Sequence, residues 1–488
     1  MTNMRDILLI QPRIGNLDSV NKHPSLPLGL LSISRYLIKN YRVKIIDQRI
    51  EKDWKKQLGH ELKKNPLFVA LTIMAGPQVN YAIQVSRLIR KLSKVKIIWG
   101  GPFPTFYKEC IKLPYVDIIV RGEGEITINK LAKAIESNNS LKNVDGISFK
   151  LDGKIIHNRE SPLLKMDSLP LIPLNIIDFN KYIYRYKRGK REISYCNYET
   201  SRGCSNNCCF CRNSSNIPST KWRGFSARDL FLGVKRLFDG YGINYFYFVD
   251  DNFFADSGRV KEFCRIISKN TYGFEWIASG TVKGLSCYSQ DSLDELYNCG
   301  CRVIHIGLES GSQKIIDSMQ KEKFSVNDAI ILNRRLKDSG IVPYYDILLG
   351  YYGETLGDIR KTTNLLFRLI KDNNNAQFSA LHCLNIYKST KLYNFAIRNN
   401  LLKKHDINFK CNNWGKANVP WVSQKRKKLL EHLYFCSLFI DNKNELIDSR
   451  IIKVFSKLYR PIALYRIRNL NFKFMFEDKL LNLPYIFN

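Results

Sequence analysis

Residues 200–215 read TSRGCSNNCCFCRNSS and place Cys204, Cys208, Cys209 and Cys211, four of the chain's thirteen cysteines, within eight positions. Thiols crowded onto one short polar loop have three uses: a disulfide knot, a zinc site, or the cradle of an iron–sulfur cluster. A structural zinc site closes with four ligands, usually as two separated pairs. No second pair stands nearby, since Cys196 sits on the preceding strand and the next cysteine is Cys264. Cys204, Cys208 and Cys211 alone form C-x3-C-x2-C, with Cys209 an extra thiol inside the spacing. Three soft thiolates on one loop suit a cubane cluster whose fourth iron stays open to a cosubstrate.

The surrounding composition narrows the choice. A chain of 488 residues exceeds one ordinary core and predicts two or three domains. Its 44% hydrophobic and 12% aromatic content supports packed globular domains. The opening MTNMRDILLIQP lacks a signal-peptide pattern, and no stretch approaches the roughly 18 apolar residues of a membrane span. LYFCSLFI (433–440) is too short and reads as a buried helix. A cytoplasmic location is therefore expected, where thiols stay reduced, and the disulfide reading is the weakest. The net charge of +33 fits either a polyanionic partner or a general lysine-rich bias. The basic runs at 184–191 and 425–428 lack the interleaved aromatics and glycines of an RNA-binding module, so nucleic acid is not the expected partner.

Hydrophobic rhythm divides the chain. Residues 1–140 alternate five buried strand-like runs (DILLIQP, VKIIDQ, LFVALTIM, VKIIWGG, VDIIVRGEGE) with helical patterns, which predicts an α/β, doubly wound, Rossmann-like parallel sheet domain. Ligands of such a sheet bind beyond the carboxyl ends of the strands. Leu28, Gly29, Thr72, Gly100, Gly101, Arg121, Gly122 and Glu123 lie there and are the candidate pocket residues. Residues 141–185 contain a hairpin around Asp152-Gly153 and a proline-rich linker. From 186 to 390 six further strand–helix units (EISYCNYET, YFYFVDD, FEWIASG, RVIHIGLES, VPYYDILLG, QFSALHCL) predict a partial (β/α)6 barrel, with helices capped by Ser226 and Ser325. The cysteine loop follows its first strand. Residues 391–488 form a basic, aromatic, mostly helical C-terminal region expected to cap the barrel and help choose the substrate; a membrane-surface contact is its weaker reading.

The C-x3-C-x2-C loop after a barrel's first strand, with Phe210 before the last cysteine, resembles the radical S-adenosylmethionine (SAM) superfamily. Three later motifs agree in order. FVDDNFF carries Asp250 and Asp251, where the resemblance implies contact with the methionine amino end, and HIGLESGSQ carries Glu309 as the implied ribose contact. DILLGYYGET, with Gly350, resembles the family's G-x-P-G-E-T, although Tyr352 replaces the proline. The N-terminal segments LPLGLLSISRYL, WGGPFPT and RGEGE resemble the cobalamin-binding subgroup, which includes class B methyltransferases. The D-x-H-x-x-G signature is absent, which implies cobalamin held without a histidine axial ligand; His23 is the only histidine near these loops.

The resemblance implies a [4Fe–4S] cluster on Cys204, Cys208 and Cys211, SAM, and cobalamin. It further implies a 5′-deoxyadenosyl radical, a small-molecule or peptide substrate, and a flavodoxin- or ferredoxin-type reductant. Methyl transfer to an unactivated carbon of a specialised metabolite leads; a radical cyclase or rearrangement enzyme of the same architecture is the alternative. A tRNA methylthiotransferase fits less well, because Cys110 is the only cysteine before the linker. A non-catalytic iron–sulfur or nucleic-acid-binding protein explains the thiols and charge but not the later motifs. Of single residues, Cys209 reads as a bystander and His305 as strand packing. His382 and Cys383 read equally as cavity wall or core, and Tyr351 and Tyr352 as cavity lining or surface.

Overall fold

The computed structural model describes residues 4–15, 18, 24–215, 217, 220–270, 272–403, 416–440 and 450–472. His23 lies outside them. Two compact units divide the chain, one formed by the residues up to Tyr198 and the other by nearly all that follow Glu199.

The first unit holds β1 (Asp6–Gln11), β2 (Arg42–Asp47), β3 (Val69–Thr72), β4 (Ile97–Gly100), β5 (Ile118–Val120), β6 (Ile147–Leu151) and β7 (Lys154–His157). They lie in the order β2-β1-β3-β4-β5-β6-β7. The first five are parallel, joined by helices such as Leu28–Leu37 and Gln78–Leu92. β1, β3, β4 and β5 are buried along nearly their whole length, as strands covered on both faces must be. Their core gathers Leu8, Ile10, Val69, Ile97 and Trp99, whose indole donates to Ser86 at 2.9 Å. The hairpin β6/β7 turns at Asp152 (φ 48°) and Gly153 (φ 74°), both left-handed as a type I′ turn requires. It pairs antiparallel with β5 and so continues the sheet. The proline-rich stretch after it has no regular periodicity, as expected, yet it is not loose. Met166, Leu174, Phe179 and Tyr182 are buried, and the Tyr182 hydroxyl donates to Asp47 at 3.0 Å. The basic run at 184–191 becomes the antiparallel hairpin of β8 (Tyr184–Arg188) and β9 (Arg191–Tyr198).

In the second unit a short ladder, β10 (Ser201–Arg202) with β11 (Arg223–Gly224), brackets the cysteine loop. β12 (Tyr245–Phe248), β13 (Glu275–Thr281), β14 (Cys301–Glu309), β15 (Val342–Leu349) and β16 (Gln377–Cys383) follow in chain order, every neighbour parallel. β16 ends the sheet, so the barrel stays open. Of the six strands expected here, five are β12–β16, and the first, EISYCNYET, is β9 of the first unit. Ser226 and Ser325 cap the helices Ala227–Tyr241 and Val326–Asp338, the second with a full capping box. Burial alternates along β15: Pro343, Tyr345, Ile347 and Leu349 are buried, while Tyr344, Asp346 and Leu348 are half-buried on the opposite face. β14 alternates likewise, with His305, Gly307 and Glu309 half-buried. One face is therefore sealed, and the other, inner face carries polar groups.

Beyond β16 the structure is helical: Lys391–Arg398, Gln424–Ser437 and Arg450–Asn469. The helix Gln424–Ser437 buries Leu430, Leu433 and Phe435, and its Ser437 hydroxyl accepts from the Leu381 amide at 2.8 Å. Among the described residues no helix is long and apolar enough to cross a membrane.

Candidate functional site

Gly203 sets the entry to the cysteine loop. Its φ is +76°, and a Cβ there would stand 2.4 Å from the Thr220 carbonyl oxygen. No other residue type fits. The Cys204 amide then donates to the same Thr220 oxygen at 3.1 Å, and the Cys211 amide to the Cys208 carbonyl at 3.0 Å. Two backbone amides point at sulfur: Asn206 N at 3.4 Å from Cys204 Sγ, and Asn213 N at 3.5 Å from Cys211 Sγ. Such donors favour the thiolate form. Burial acts the other way, pushing Cys208 up to about 12, Cys211 up to about 11, and Cys204 upward. Cys208 is also raised by Cys204 and Cys211, and Cys211 by Cys204, so the three thiols face a shared space, and the Lys321 ammonium opposes the rise at Cys208 and Cys204. Among the described residues no three His, Cys, Asp or Glu side chains converge to hold a single ion. All four loop thiols are free, whereas Cys264 and Cys299 form a disulfide elsewhere.

Cys209 faces away from the set. Its sulfur meets the Tyr351 hydroxyl at 3.0 Å, its amide donates to Met319 at 2.9 Å, and its carbonyl accepts from Leu392 at 2.8 Å. Phe210 is half-buried between Cys209 and Cys211.

The two aspartates after β12 have different environments. Asp250 is buried, and its carboxylate accepts from the Thr200 amide at 2.8 Å, the Thr200 hydroxyl, and the Ser201 hydroxyl at 2.7 Å. Arg259 closes the same network by donating to the Thr200 hydroxyl at 2.8 Å and carbonyl at 3.0 Å. Asp250 is thus a clamp on the start of the cysteine loop rather than the ligand contact its motif suggested. Asp251 is the carboxylate that faces the loop: its charge raises both Cys204 and Cys211, and Arg212 stands 3.4 Å away.

Glu309 ends β14 in the left-handed region, φ +65°. Its Oε1 lies 2.8 Å from Lys321 Nζ in an ion pair whose two side chains are 12% and 5% exposed. A Cβ on Gly307 would stand 2.7 Å from that oxygen and 2.8 Å from that nitrogen, so glycine makes room for the pair. Lys321 gives no signal in sequence, being one of two lysines in a charged turn. The following Gly311 amide donates to Thr362 Oγ1 at 2.9 Å, which ties the motif to the helix Leu356–Asp372.

Gly350, φ +91°, donates its amide to Glu354 at 2.6 Å, so the glutamate of GYYGET holds its own loop closed. Burial pushes Glu354 up to about 7. Tyr351 and Tyr352 separate: Tyr351 packs under the cysteine loop, while Tyr352, in the place of the family's proline, rests edge-on against Phe395 and Trp421. His305 sits on the inner face between Tyr247 and Tyr344, ring centroids 5.5 and 4.4 Å away, and burial lowers it to about 4. His382 lies half-buried beside Tyr434, and Cys383 is core.

In the first unit, glycines form a ledge at the strand ends. Gly101, φ +94°, has no room for a side chain, since a Cβ would stand 3.0 Å from Ile73 O and 3.1 Å from Thr72 Oγ1. A Cβ on Gly29 would meet the same Thr72 oxygen at 3.7 Å. Gly122 donates its amide to Thr105 at 3.0 Å. Leu28, Gly100 and Glu123 are half-buried at the ends of the same strands. Arg121 is 2% exposed and donates to Glu160 and the carbonyls of Ile147 (3.0 Å) and Asn158 (2.5 Å), so it pins the hairpin, with its Nε left without a partner.

Family comparison agrees with this layout. The B12 binding domain model matches residues 20–132, and the Radical SAM superfamily model matches residues 198–366. The chain belongs to the B12-binding radical SAM proteins. It is 27% identical over 408 residues to an uncharacterized methyltransferase of Pyrococcus horikoshii, covering 82% of this chain and 85% of that one. It is 26% identical over 325 residues to the anaerobic magnesium-protoporphyrin IX monomethyl ester cyclase of Synechocystis, covering 65% of this chain and 63% of that one. The cobalamin-dependent SAM radical enzyme OxsB shares the fold at TM-score 0.74 and 18% identity, over 95% of this chain and 72% of that one. The two matched domains imply a [4Fe–4S] cluster, SAM and cobalamin as cofactors. Both sites fit them: the amide-to-sulfur contacts at Cys204 and Cys211 suit bound thiolates, and the ledge of Gly29 and Gly101 around the small Thr72 side chain suits a flat ring.

Proposed function

We propose that this radical SAM enzyme is a cobalamin-dependent methyltransferase acting on an unactivated carbon of a specialised small molecule or peptide, in the cytoplasm, with a flavodoxin- or ferredoxin-type protein as electron donor. The observation behind it is the shared space of three free thiols, two of them receiving backbone amides, in a chain that also carries a B12-binding domain. Cys204, Cys208 and Cys211 would hold the cluster. Phe210, Asp251, Glu309 and Gly350 would hold SAM, and Leu28, Gly29, Thr72, Gly100, Gly101, Gly122 and Glu123 cobalamin. When bound, these cofactors supply one-electron cleavage of SAM and a transferable methyl group. The chain's own residues do the positioning. Thr200, Ser201 and Arg259 fix the loop through Asp250, the Glu309–Lys321 pair places a carboxylate beside the thiols, and Tyr351 closes the floor at Cys209.

Radical cyclisation is the second reading, supported by the likeness to the magnesium-protoporphyrin ester cyclase. Anaerobic incubation with SAM, hydroxocobalamin and a reductant separates the readings. Both 5′-deoxyadenosine and S-adenosylhomocysteine are expected from the methyltransferase. Deoxyadenosine alone with substrate consumed indicates the cyclase, and neither product with an intact cluster defeats both.

A further inference from the structure

The inner face of the second unit's sheet carries charge that the cofactor motifs do not use. Across β14 and β15, His305 pairs with Tyr344 and Gly307 with Asp346; across β13 and β14, Ser279 pairs with His305. Tyr247, His305 and Tyr344 therefore form a row of tilted rings with Asp346 one step nearer the strands' carboxyl ends, beside the bare Gly307. Two carboxylates face this space, Glu309 and Asp346, but among the described residues only one cation, Lys321, and its ammonium is held on Glu309 at 2.8 Å. Asp346 has no ion-pair partner among the described residues; the Ser379 hydroxyl, which donates to the Ala380 carbonyl at 3.2 Å, stands near enough to oppose its rise.

We propose that Asp346, flanked by the rings of Tyr344, His305 and Tyr247, is the substrate's anchor and that the substrate presents a protonated amine to it. This rests on the reading that the inner face of the half-barrel receives the substrate. The physical case is one of balance. A buried carboxylate without a counter-ion is costly, and an incoming ammonium removes that cost. Neutral aromatic faces beside it add cation–π attraction. His305 belongs to those faces, since burial keeps its imidazole uncharged. An anionic group would instead meet Glu309 and Asp346 together. Burial pushes Asp346 up to about 7, and a bound ammonium would draw it back down.

The test needs neither cluster nor turnover, so its failure is separate from failure of the radical reading, which is scored by deoxyadenosine. Full-length protein at pH 8 is titrated with 2-phenylethylamine, neutral 2-phenylethanol and anionic 3-phenylpropionate, with binding followed by calorimetry and ligand-observed NMR. The amine is expected to bind at least tenfold tighter than the alcohol, with the anion weakest. Asp346→Asn should erase the tenfold preference and the milder Ser379→Ala reduce it, each with an unchanged circular dichroism spectrum. Equal binding of amine and alcohol, no binding of any probe at millimolar concentration, or a preference that survives Asp346→Asn would overturn the proposal. Displacement of the amine by SAM would also overturn it, by marking the anchor as part of the cosubstrate site.

Discussion

Replacing Asp346 by Asn should stabilise the protein at alkaline pH and leave it unchanged in acid. Asp346 titrates near 3.8 when exposed and is pushed up to about 7 in the fold, first by burial and then by the Glu309 charge, against the Ser379 hydrogen bond and Lys321. Tyr247, across the sheet on β12, is itself raised, first by burial and then by the same aspartate. The native state therefore binds the proton more tightly than the unfolded state, and wild-type stability falls as pH rises between those two values. Below about 4 both states are protonated and nothing is lost. Above 7 the full cost is present. Roughly three pH units at about 1.36 kcal/mol each give about 4 kcal/mol, and solvent at the half-open inner face reduces this to about 2–4 kcal/mol. For a domain of this size, that is a melting temperature higher by roughly 5–12 °C at pH 8. Asn has the same shape as Asp, so little else changes. Burial lowers both His305 and His382, so each destabilises the fold as pH falls below its ordinary value, but does so in wild type and variant alike and cancels in the difference between them. Thermal melts of both proteins from pH 4.5 to 9 provide the check. A difference that is flat across pH, or a variant less stable than wild type at pH 8, would refute the reasoning.

The cysteine assignments make a graded prediction. Cys204→Ala, Cys208→Ala and Cys211→Ala should each lose the cluster's visible absorbance, whereas Cys209→Ala, which loses contacts with Tyr351 and Ser318, should retain it. Gly101→Ala should cost about 1–3 kcal/mol, because its left-handed backbone and the 3.0 Å approach to Ile73 O leave no space. The same variant should weaken cobalamin retention on gel filtration. Wild-type protein reconstituted with hydroxocobalamin should retain it with a base-off absorption spectrum; a base-on spectrum would point to a coordinating nitrogen that the D-x-H-x-x-G comparison did not anticipate.

Much of this molecule was legible in sequence because its signals are local. Buried β-branched runs such as IIWG and IIV are strands in either context, Ser226 and Ser325 cap helices through their own first turn, and Asp152-Gly153 writes its turn into two residues. The C-x3-C-x2-C spacing likewise needs only one loop. Tertiary structure decided which side chains were still available. Asp250 and Asp251 are adjacent in sequence, but only the fold shows Thr200 and Ser201 consuming the first and leaving the second beside the thiols. Arg121 stands at a strand end in sequence, and only the fold brings the hairpin residues Asn158 and Glu160 to it. Lys321 stood in no motif, and Asp346 only opened the stretch DILLGYYGET with no role attached to it. They matter because strand register sets Gly307 opposite Asp346 and lets the Glu309–Lys321 pair fold over the vacant position. A hydrogen-bond partner or counter-ion dozens of residues away leaves no periodicity in the chain, so the sequence set the elements and the motif loops, and long-range pairing set which charges remain to do chemistry.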